Sequence, residues 1–482
     1  MIDFKPVFLV VGIFLATLAI LMCIPAAVDK FAGHHDWQVF LASAAVTFLT
    51  GLMLIFGNRT SVRKVSMRQA FLLTTATWIS AAAFGALPFA FSEMHMSYTD
   101  AVFESMSGLT TTGATVIVGL DNAPPGILLW RALLHGLGGI GIVVMAVAVL
   151  PMLRIGGMQI FRMESSDKSD KVLPKTAQMA SAILIVYLVL IVLTVFALWG
   201  AGMSLFDSIC HGIAAVSTGG FSTKDASIGH YDNALFDGIL VVSMISGALP
   251  LTWYVRVAQR GKKALWLDSQ VVTFFQVLLV CIGVMAAWLW VVKGMTPPHA
   301  FRMAAFNVTS IITDTGFVNT DYGLWGDFAV ASFIFYTFIG GCTGSTAGSI
   351  KIFRWQILFR AVSRQLSWMF QPHRVMDLRY NGQSYTDDVV SSVISFVAIY
   401  LISFALMTLV VSLLGVDFLT SASAVSAALA ASGPGLGPIV GPAGTYQPLP
   451  DSVTWVLTFA MLFGRLELFT ILVLFTPQFW RD

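Results

Sequence analysis

The sequence predicts an all-α polytopic membrane protein: four pseudo-repeats about one axis, preceded by two extra N-terminal transmembrane helices. Three observations predict it. The chain has 482 residues, 57% hydrophobic and 11% charged, and apolar runs recur from end to end. Roughly 20 such residues cross ~30 Å of hydrocarbon. Lys and Arg gather in alternate loops, whereas the intervening loops carry acids. A polar, glycine-broken segment recurs four times between apolar runs. The first observation excludes an ordinary soluble protein; the net charge of +2 decides little.

The elements follow in order. Val7–Ala27 is too long for a signal-peptide core and lacks a clear small-residue cleavage site, so it reads as a retained helix. Val39–Phe56 is the second span, after a turn with Asp29, Lys30, His34, His35 and Asp36. The basic loop Asn58–Arg68 contains no acid, which places it and both chain termini in the cytoplasm by the positive-inside rule. This N-terminal part covers residues 1–68. The first unit, residues 69–177, has a span at Ala70–Phe91 and a short segment at Tyr98–Leu109. A polar breaker at Thr110–Thr115, a second span at Gly126–Leu150 and a basic connector at Arg154–Lys175 complete it. The short segment cannot span and suits a re-entrant helix, tolerated at membrane depth only inside protein or along water.

The unit returns three times. Residues 178–268 hold Met179–Trp199, the short Ser204–Val216, the breaker Ser217–Ser222 and the span Leu235–Val255. Residues 269–387 hold Val271–Val292, the short Pro298–Ile312 with proline well placed at its start, and the breaker Thr313–Phe317. Their last span, Phe328 to about Leu358, is interrupted by a small-residue run at 340–350. Residues 388–482 hold Val389–Leu414, the short Phe418–Ala431, the breaker Ser432–Gly437 and the span Val453–Phe475. Every breaker falls on the external side. Acids there, among them Asp100, Asp121, Asp225, Asp232 and Asp321, predict an acidic mouth that concentrates cations.

The breakers align as Thr112-Gly113-Ala114-Thr115, Gly219-Gly220-Phe221-Ser222, Thr315-Gly316-Phe317-Val318 and Pro434-Gly435-Leu436-Gly437. Glycine admits positive φ, which lets successive carbonyls point toward one axis. Four such strands form a cage of oxygens able to replace an ion's hydration shell. Taken singly, each breaker reads first as a glycine-bearing turn outside the bilayer. Four copies at matching positions favour a pore built from helix–pore helix–filter loop–helix units. Candidate ion-binding residues are Thr111, Thr112 and Gly113; Thr218, Gly219 and Gly220; Asp314, Thr315 and Gly316; Gly433, Pro434 and Gly435.

With these loops in view, the chain resembles the Trk/Ktr/HKT superfamily of potassium transporters, closest to the bacterial TrkH-type membrane subunit. The resemblance covers the whole chain, including the extra N-terminal spans and the interrupted third unit. It implies potassium uptake across the bacterial cytoplasmic membrane through a single-chain pore, usually in a homodimer. It also implies a cytoplasmic, nucleotide-binding TrkA-type regulatory subunit. It assigns K+ coordination to Thr112, Gly113, Gly220, Gly316 and Gly435. A glycine rather than a serine in the first loop goes with potassium preference in plant relatives. The resemblance further implies a gate below the filter, carried onto Gly340, Gly341, Thr343, Gly344, Ser345 and Gly348, with Arg465 contacting it.

Asp314 departs from the pattern, because a small or hydroxyl residue is expected there. Its carboxylate either faces the pore or points behind the filter. Arg465 has a structural alternative as well: an ion pair with Glu467 or bonds to helix carbonyls. Arg131, His135, Glu104 and His211 are isolated polar residues, either a proton relay or satisfied by neighbours, and Glu104 and Asp207 are candidates for a negative field behind the filter. His135–Gly141 reads as close helix packing; it lacks the strand that a dinucleotide fingerprint needs. The four cysteines read as small buried hydrophobes. The basic loops Arg154–Lys175 and Arg354–Arg379 are either docking faces for the regulatory subunit or plain positive-inside charge. No catalytic or Walker motif stands out, so the chain is not expected to be an enzyme, to carry a covalent cofactor or to bind nucleic acid. The alternative function is an H+- or Na+-coupled symporter with alternating access, for which inverted repeats are the discriminator.

Overall fold

The computed structural model describes residues 3–59, 66–148, 172–261, 268–373, 379–381 and 383–481. Thr60–Val65, Lys262 and Lys263, Arg374 and most of the basic connector Arg154–Lys175 lie outside them. The described chain is helical except for one small hairpin, in which Arg379–Tyr380 pairs with Gln383–Ser384. Seven helices are long and apolar enough to cross a membrane, and two bent pairs raise the total to nine. The protein is a multi-pass membrane protein.

Lys5–Ala32 and Trp37–Gly57 form an antiparallel N-terminal pair; the first helix runs through Asp29 and Lys30 and stops at Gly33, whose φ of 80° caps it. Then the order outer helix, short helix, irregular segment, inner helix recurs. The outer helices are Met67–Gly85, Val172–Gly200, Ser269–Val291 and Asp387–Leu413. The short helices are Tyr98–Leu109, Leu205–Val216, Pro297–Ile312 and Phe418–Ala430. The inner helices start at Pro125, Ala234, Asp327 and Asp451.

Helix starts obey local chemistry. Ser66 and Gln69 form a reciprocal capping box. Ser97 and Ser204 accept the N–H groups of Asp100 and Asp207 at 3.1 and 3.0 Å. Asp417 accepts Thr420 N–H at 3.0 Å. Such caps contribute ~1 kcal/mol each. The third short helix instead begins with Pro297 and Pro298, which need no N–H partner.

Burial separates inside from outside. Only 22% of the best apolar window of Gln178–Gly200 is buried, against 72% for Pro125–Val143. The former therefore presents its apolar surface outward, to lipid, and the latter is enclosed by protein. Of the cysteines, Cys210 and Cys342 are buried as expected, but Cys281 is half-buried and Cys23 is exposed.

Two expected spans are not continuous. Leu235–Val255 is a pair, Ala234–Ala248 and Leu251–Ala258, bent by 91°. Pro250 lacks an N–H and holds Leu249 extended at φ −82°, ψ 153°. Val453–Phe475 is likewise bent, by 105°, after Arg465. Ala70–Phe91 breaks more gently at Ala86 into Met67–Gly85 and Leu87–Phe91. The third inner span is interrupted from Thr337 to Lys351, as its small residues predict.

Candidate functional site

Each short helix ends the same way. A residue in the left-handed region follows it: Thr111 (φ 53°), Thr218 (51°), Asp314 (57°) and Ala431 (61°). The next amide reaches back five residues. Thr112 N–H bonds Ser107 O, Gly219 bonds Ala214, Thr315 bonds Ser310 and Ser432 bonds Ala427, at 2.9, 2.9, 2.8 and 3.0 Å. This Schellman-type turn satisfies a helix carbonyl and reverses the chain. A second left-handed residue follows, a glycine each time: Gly113, Gly220, Gly316 and Gly433 (φ 83°, 77°, 84° and 85°).

Those four glycines close a ring. A Cβ on Gly113 would lie 2.1 Å from Gly219 O, on Gly220 1.9 Å from Thr315 O, on Gly316 2.3 Å from Ser432 O and on Gly433 2.7 Å from Thr112 O. Each unit thus presses its glycine on the next unit's carbonyl, and the fourth returns to the first. The ring puts Thr111, Thr112, Thr218, Gly219, Asp314, Thr315 and Pro434 together with these glycines. The fourth segment sits two residues earlier than the sequence alignment placed it. Gly433, not Gly435, stands at the ring position. Gly435 N–H instead bonds Val440 O at 2.8 Å, in the chain leaving the ring. Pro434 misled the alignment: it occupies the place of Ala114, Phe221 and Phe317, after the glycine.

The ring is braced from behind by chemistry that differs between units. Glu104, in the first short helix, accepts Val116 N–H at 3.0 Å and Thr115 Oγ1 at 3.0 Å. Arg131 binds Glu104 at 2.7 Å, donates to Ser222 O at 2.7 Å and lies 3.9 Å from the centre of the Phe221 ring. His135 accepts Phe221 N–H at Nε2 (3.1 Å), so its Nδ1 carries the proton donated to Gly108 O (2.8 Å). The His135 ring also occupies the space a Cβ on Gly219 would need, with Cδ2 at 2.5 Å. His211 holds Ser222 Oγ at 2.8 Å, and Asn307 holds Asn319 Oδ1 at 2.6 Å. In the fourth unit Ser423 accepts Leu436 N–H at 2.8 Å and Tyr446 donates to Gly433 O at 2.8 Å. Glu104 is therefore a paired brace rather than a free negative field. Asp207 is bound by Thr223 Oγ1 at 2.6 Å and by Ser204.

At the ring's deep end, where the short helices stop, lies the non-helical run Thr337–Lys351. Its backbone is satisfied by neighbouring units, as membrane depth requires. Cys342 N–H bonds Ala248 O at 2.9 Å, Thr346 N–H bonds Gly247 O at 3.2 Å, and Leu251 N–H bonds Gly344 O at 3.0 Å. These are the groups that the 91° bend sets free. Ser349 N–H bonds Ala430 O at 3.1 Å, and Gln270 Oε1 accepts Thr343 N–H at 2.9 Å. Thr346 Oγ1 reaches Val216 O and accepts from Thr218 Oγ1, both at 3.1 Å. Gly340 and Gly344 have φ of 72° and 81°, and a Cβ on Gly348 would meet Ala430 O at 2.2 Å. Gly341 and Ser345 are packed in the same run, Ser345 Oγ bonding Cys342 O at 2.6 Å.

Arg465 ends its helix at the 105° bend rather than lying mid-span. It donates to Thr346 O at 2.9 Å and to Gly138 O at 3.2 Å, joining the run to the first inner helix. Glu467 is not its partner: Arg354 and Lys351 bind Glu467, Lys351 Nζ at 3.6 Å. Asp314 is fully buried, and its carboxylate faces the backbone N–H of Gly348 in the interrupted run. It does not line the cavity at the opposite end.

That opposite end opens into a mouth cavity lined by Gly113, Gly220, Gly316, Gly433 and the chain leaving the ring. Of the acids expected at the mouth, Asp225 lines this cavity. The charged lining residues are Arg131, Lys224 and Asp225. Asp225 accepts the N–H groups of Gly119 and Leu120, and Asp321 that of Gly323; Asp237, on the second inner helix, binds Arg302. Sequence reasoning missed the Glu104–Arg131 pair, although both residues stand alone in apolar helices, where a charge needs a partner.

Comparison with known proteins agrees with this geometry. Residues 36–481 match the family described as TrkH, cation transport protein. The Trk system potassium uptake protein TrkI of Halomonas elongata is 40% identical over 99% of this chain and 97% of its own. The Trk system potassium uptake protein TrkH of Escherichia coli K12 is 36% identical over 99% of this chain and all of its own. The crystal structure of the potassium transporter TrkH from Vibrio parahaemolyticus superimposes with a TM-score of 0.93 at 36% identity, covering 100% of both chains. With a matching family model and full-length relatives above 30% identity, the chain belongs to the TrkH family of cation transport proteins, a family of transporters rather than enzymes.

Proposed function

We propose that this protein takes up K+ across the bacterial cytoplasmic membrane through the ring, with the mouth cavity outside and both termini in the cytoplasm. The observation that carries the reading is the closed ring of four left-handed glycines, each against its neighbour's carbonyl. Backbone oxygens of Thr112, Gly113, Gly220, Gly316 and Gly433 replace water around the ion. Thr111, Thr218, Gly219, Asp314, Thr315 and Pro434 shape the segments that present them. The run Gly340–Gly348, stitched across the deep end, is the gate, and Arg465 is its latch through Thr346 O. Full-length likeness to proteins named for potassium uptake supports the choice of ion. In this reading the protein acts as a homodimer, with a nucleotide-binding TrkA-type subunit regulating the gate from the cytoplasmic side.

Purified protein in liposomes tests the reading by current recording. K+ current that follows the K+ gradient, without H+ or Na+ gradients, is the expected result. Flux that needs an H+ or Na+ gradient overturns the channel-like mechanism. Arg465→Ala is expected to raise flux severalfold by freeing the run; wild-type flux and regulation would return Arg465 to a structural role.

A further inference from the structure

Of the three charged side chains that line the mouth cavity, Lys224 is the one that makes no side-chain hydrogen bond among the described residues. Arg131 is held by Glu104 and Ser222 O. Asp225 Oδ1 accepts the N–H groups of Gly119 and Leu120, both at 3.0 Å. Lys224 differs. Its backbone N–H donates to Ser222 Oγ at 3.1 Å, which fixes the stem just beyond the second ring segment. Its ammonium lies 3.6 Å from Asp121 Oδ1, with the two side chains 23% and 40% exposed. His230 Nδ1 is 3.9 Å from the same oxygen. Asp121 does not line the cavity; it stands on the turn Leu120–Asn122, whose first amide Asp225 holds.

Exposed pairs at this separation are weak, and a lysine stem has many rotamers. The ammonium therefore has two places to be: beside Asp121 at the rim, or over the ring glycines. A fixed positive charge in a cleft lowers the local concentration of cations.

We propose that Lys224 is a tethered cation that controls how readily K+ enters the mouth cavity, and that Asp121 positions it at the rim. The inference rests on the function proposed above. It concerns capture of the ion from outside, not discrimination within the ring. Altering the pair therefore shifts the KM for external K+ and leaves the K+/Na+ ratio in place.

The test is K+ uptake by proteoliposomes at varied external K+, with Lys224→Gln, Lys224→Arg, Asp121→Asn and the double variant D121N/K224Q. Lys224→Gln is expected to lower KM about threefold and Asp121→Asn to raise it by about as much, with kcat held. Lys224→Arg keeps the wild-type KM. The double variant takes the KM of Lys224→Gln, because Asp121 has nothing left to position. Both shifts shrink in high salt. An unchanged KM in Lys224→Gln overturns the proposal. Additive effects in the double variant also overturn it, since Asp121 would then act by its own charge. Wild-type protein that takes up no K+ overturns the function itself, a different failure from wild-type flux with an insensitive KM.

Discussion

The first and fourth quarters of the ring share a backbone and almost nothing else. Both turn through a left-handed residue, an amide bonded five residues back, and a left-handed glycine. The first is braced by a buried ion pair, Glu104–Arg131, that reaches into the second quarter. The fourth is braced by neutral groups, Ser423 and Tyr446. It also has Ala431 where the first has Thr111. The difference teaches that the repeat preserves a conformation rather than a set of side chains. In the function proposed above, the backbone of each quarter meets the ion, and the side chains hold that backbone in place.

The largest expected effects come from breaking the shared feature. Gly113→Ala places a Cβ 2.1 Å from Gly219 O at a φ of 83°. Left-handed backbone costs an L-residue ~1–2 kcal/mol before any clash. K+ uptake is expected to fall at least 100-fold. Gly433→Ala meets Thr112 O at 2.7 Å, a looser contact, and should lose less. Gly435→Ala sits at ordinary φ, although its Cβ would meet Val440 Cγ2 at 2.5 Å, and should lose less flux than Gly113→Ala, through packing alone. Flux surviving in Gly433→Ala but not in Gly435→Ala would reverse the register of the fourth segment.

A middle-sized effect separates the braces. Arg131→Ala leaves Glu104 buried without its cation, and loss of one partner from such a pair costs about 3–5 kcal/mol. Ser423→Ala removes one neutral bond set, about 1–3 kcal/mol. Thermal unfolding in detergent should rank Arg131→Ala well below Ser423→Ala; equal losses would mean that charge adds nothing to the first quarter. The smallest effect belongs to Tyr446→Phe, which removes one bond to Gly433 O, about 1 kcal/mol. It should move the melting point little while shifting the K+/Rb+ permeability ratio measurably. A ratio identical to wild type would make Tyr446 packing only.

Much of this was legible in the chain. The apolar runs and short helices followed from length and hydropathy, and the start of the third short helix from its prolines. The interruption at Gly340–Gly348 followed from its small residues. The acidic mouth was legible only as a surplus of acids in the external loops; which of them reach the cavity, Asp225 beside Arg131 and Lys224, was not. Counting charges per loop could not reveal that Asp225, Asp237 and Asp321 bind amides or Arg302. The bend at Pro250 was signalled by that proline but hidden by the apolar run around it. The fourth register failed because glycines stand at Gly433, Gly435 and Gly437. Residue identity alone does not say which of them follows a helix-ending turn.

By itself, then, the sequence determined the membrane class, the order of elements and the recurrence of four units, because hydrophobicity, length and capping are local properties. Only the tertiary structure decided which glycine of the fourth unit closes the ring, that Arg465 holds Thr346 and Gly138 rather than Glu467, and that Lys224 stands at the mouth between Asp121 and the ring. Each of these depends on which carbonyl or carboxylate a distant segment brings within about 3–4 Å, the reach of a hydrogen bond or ion pair, and no local pattern encodes that meeting.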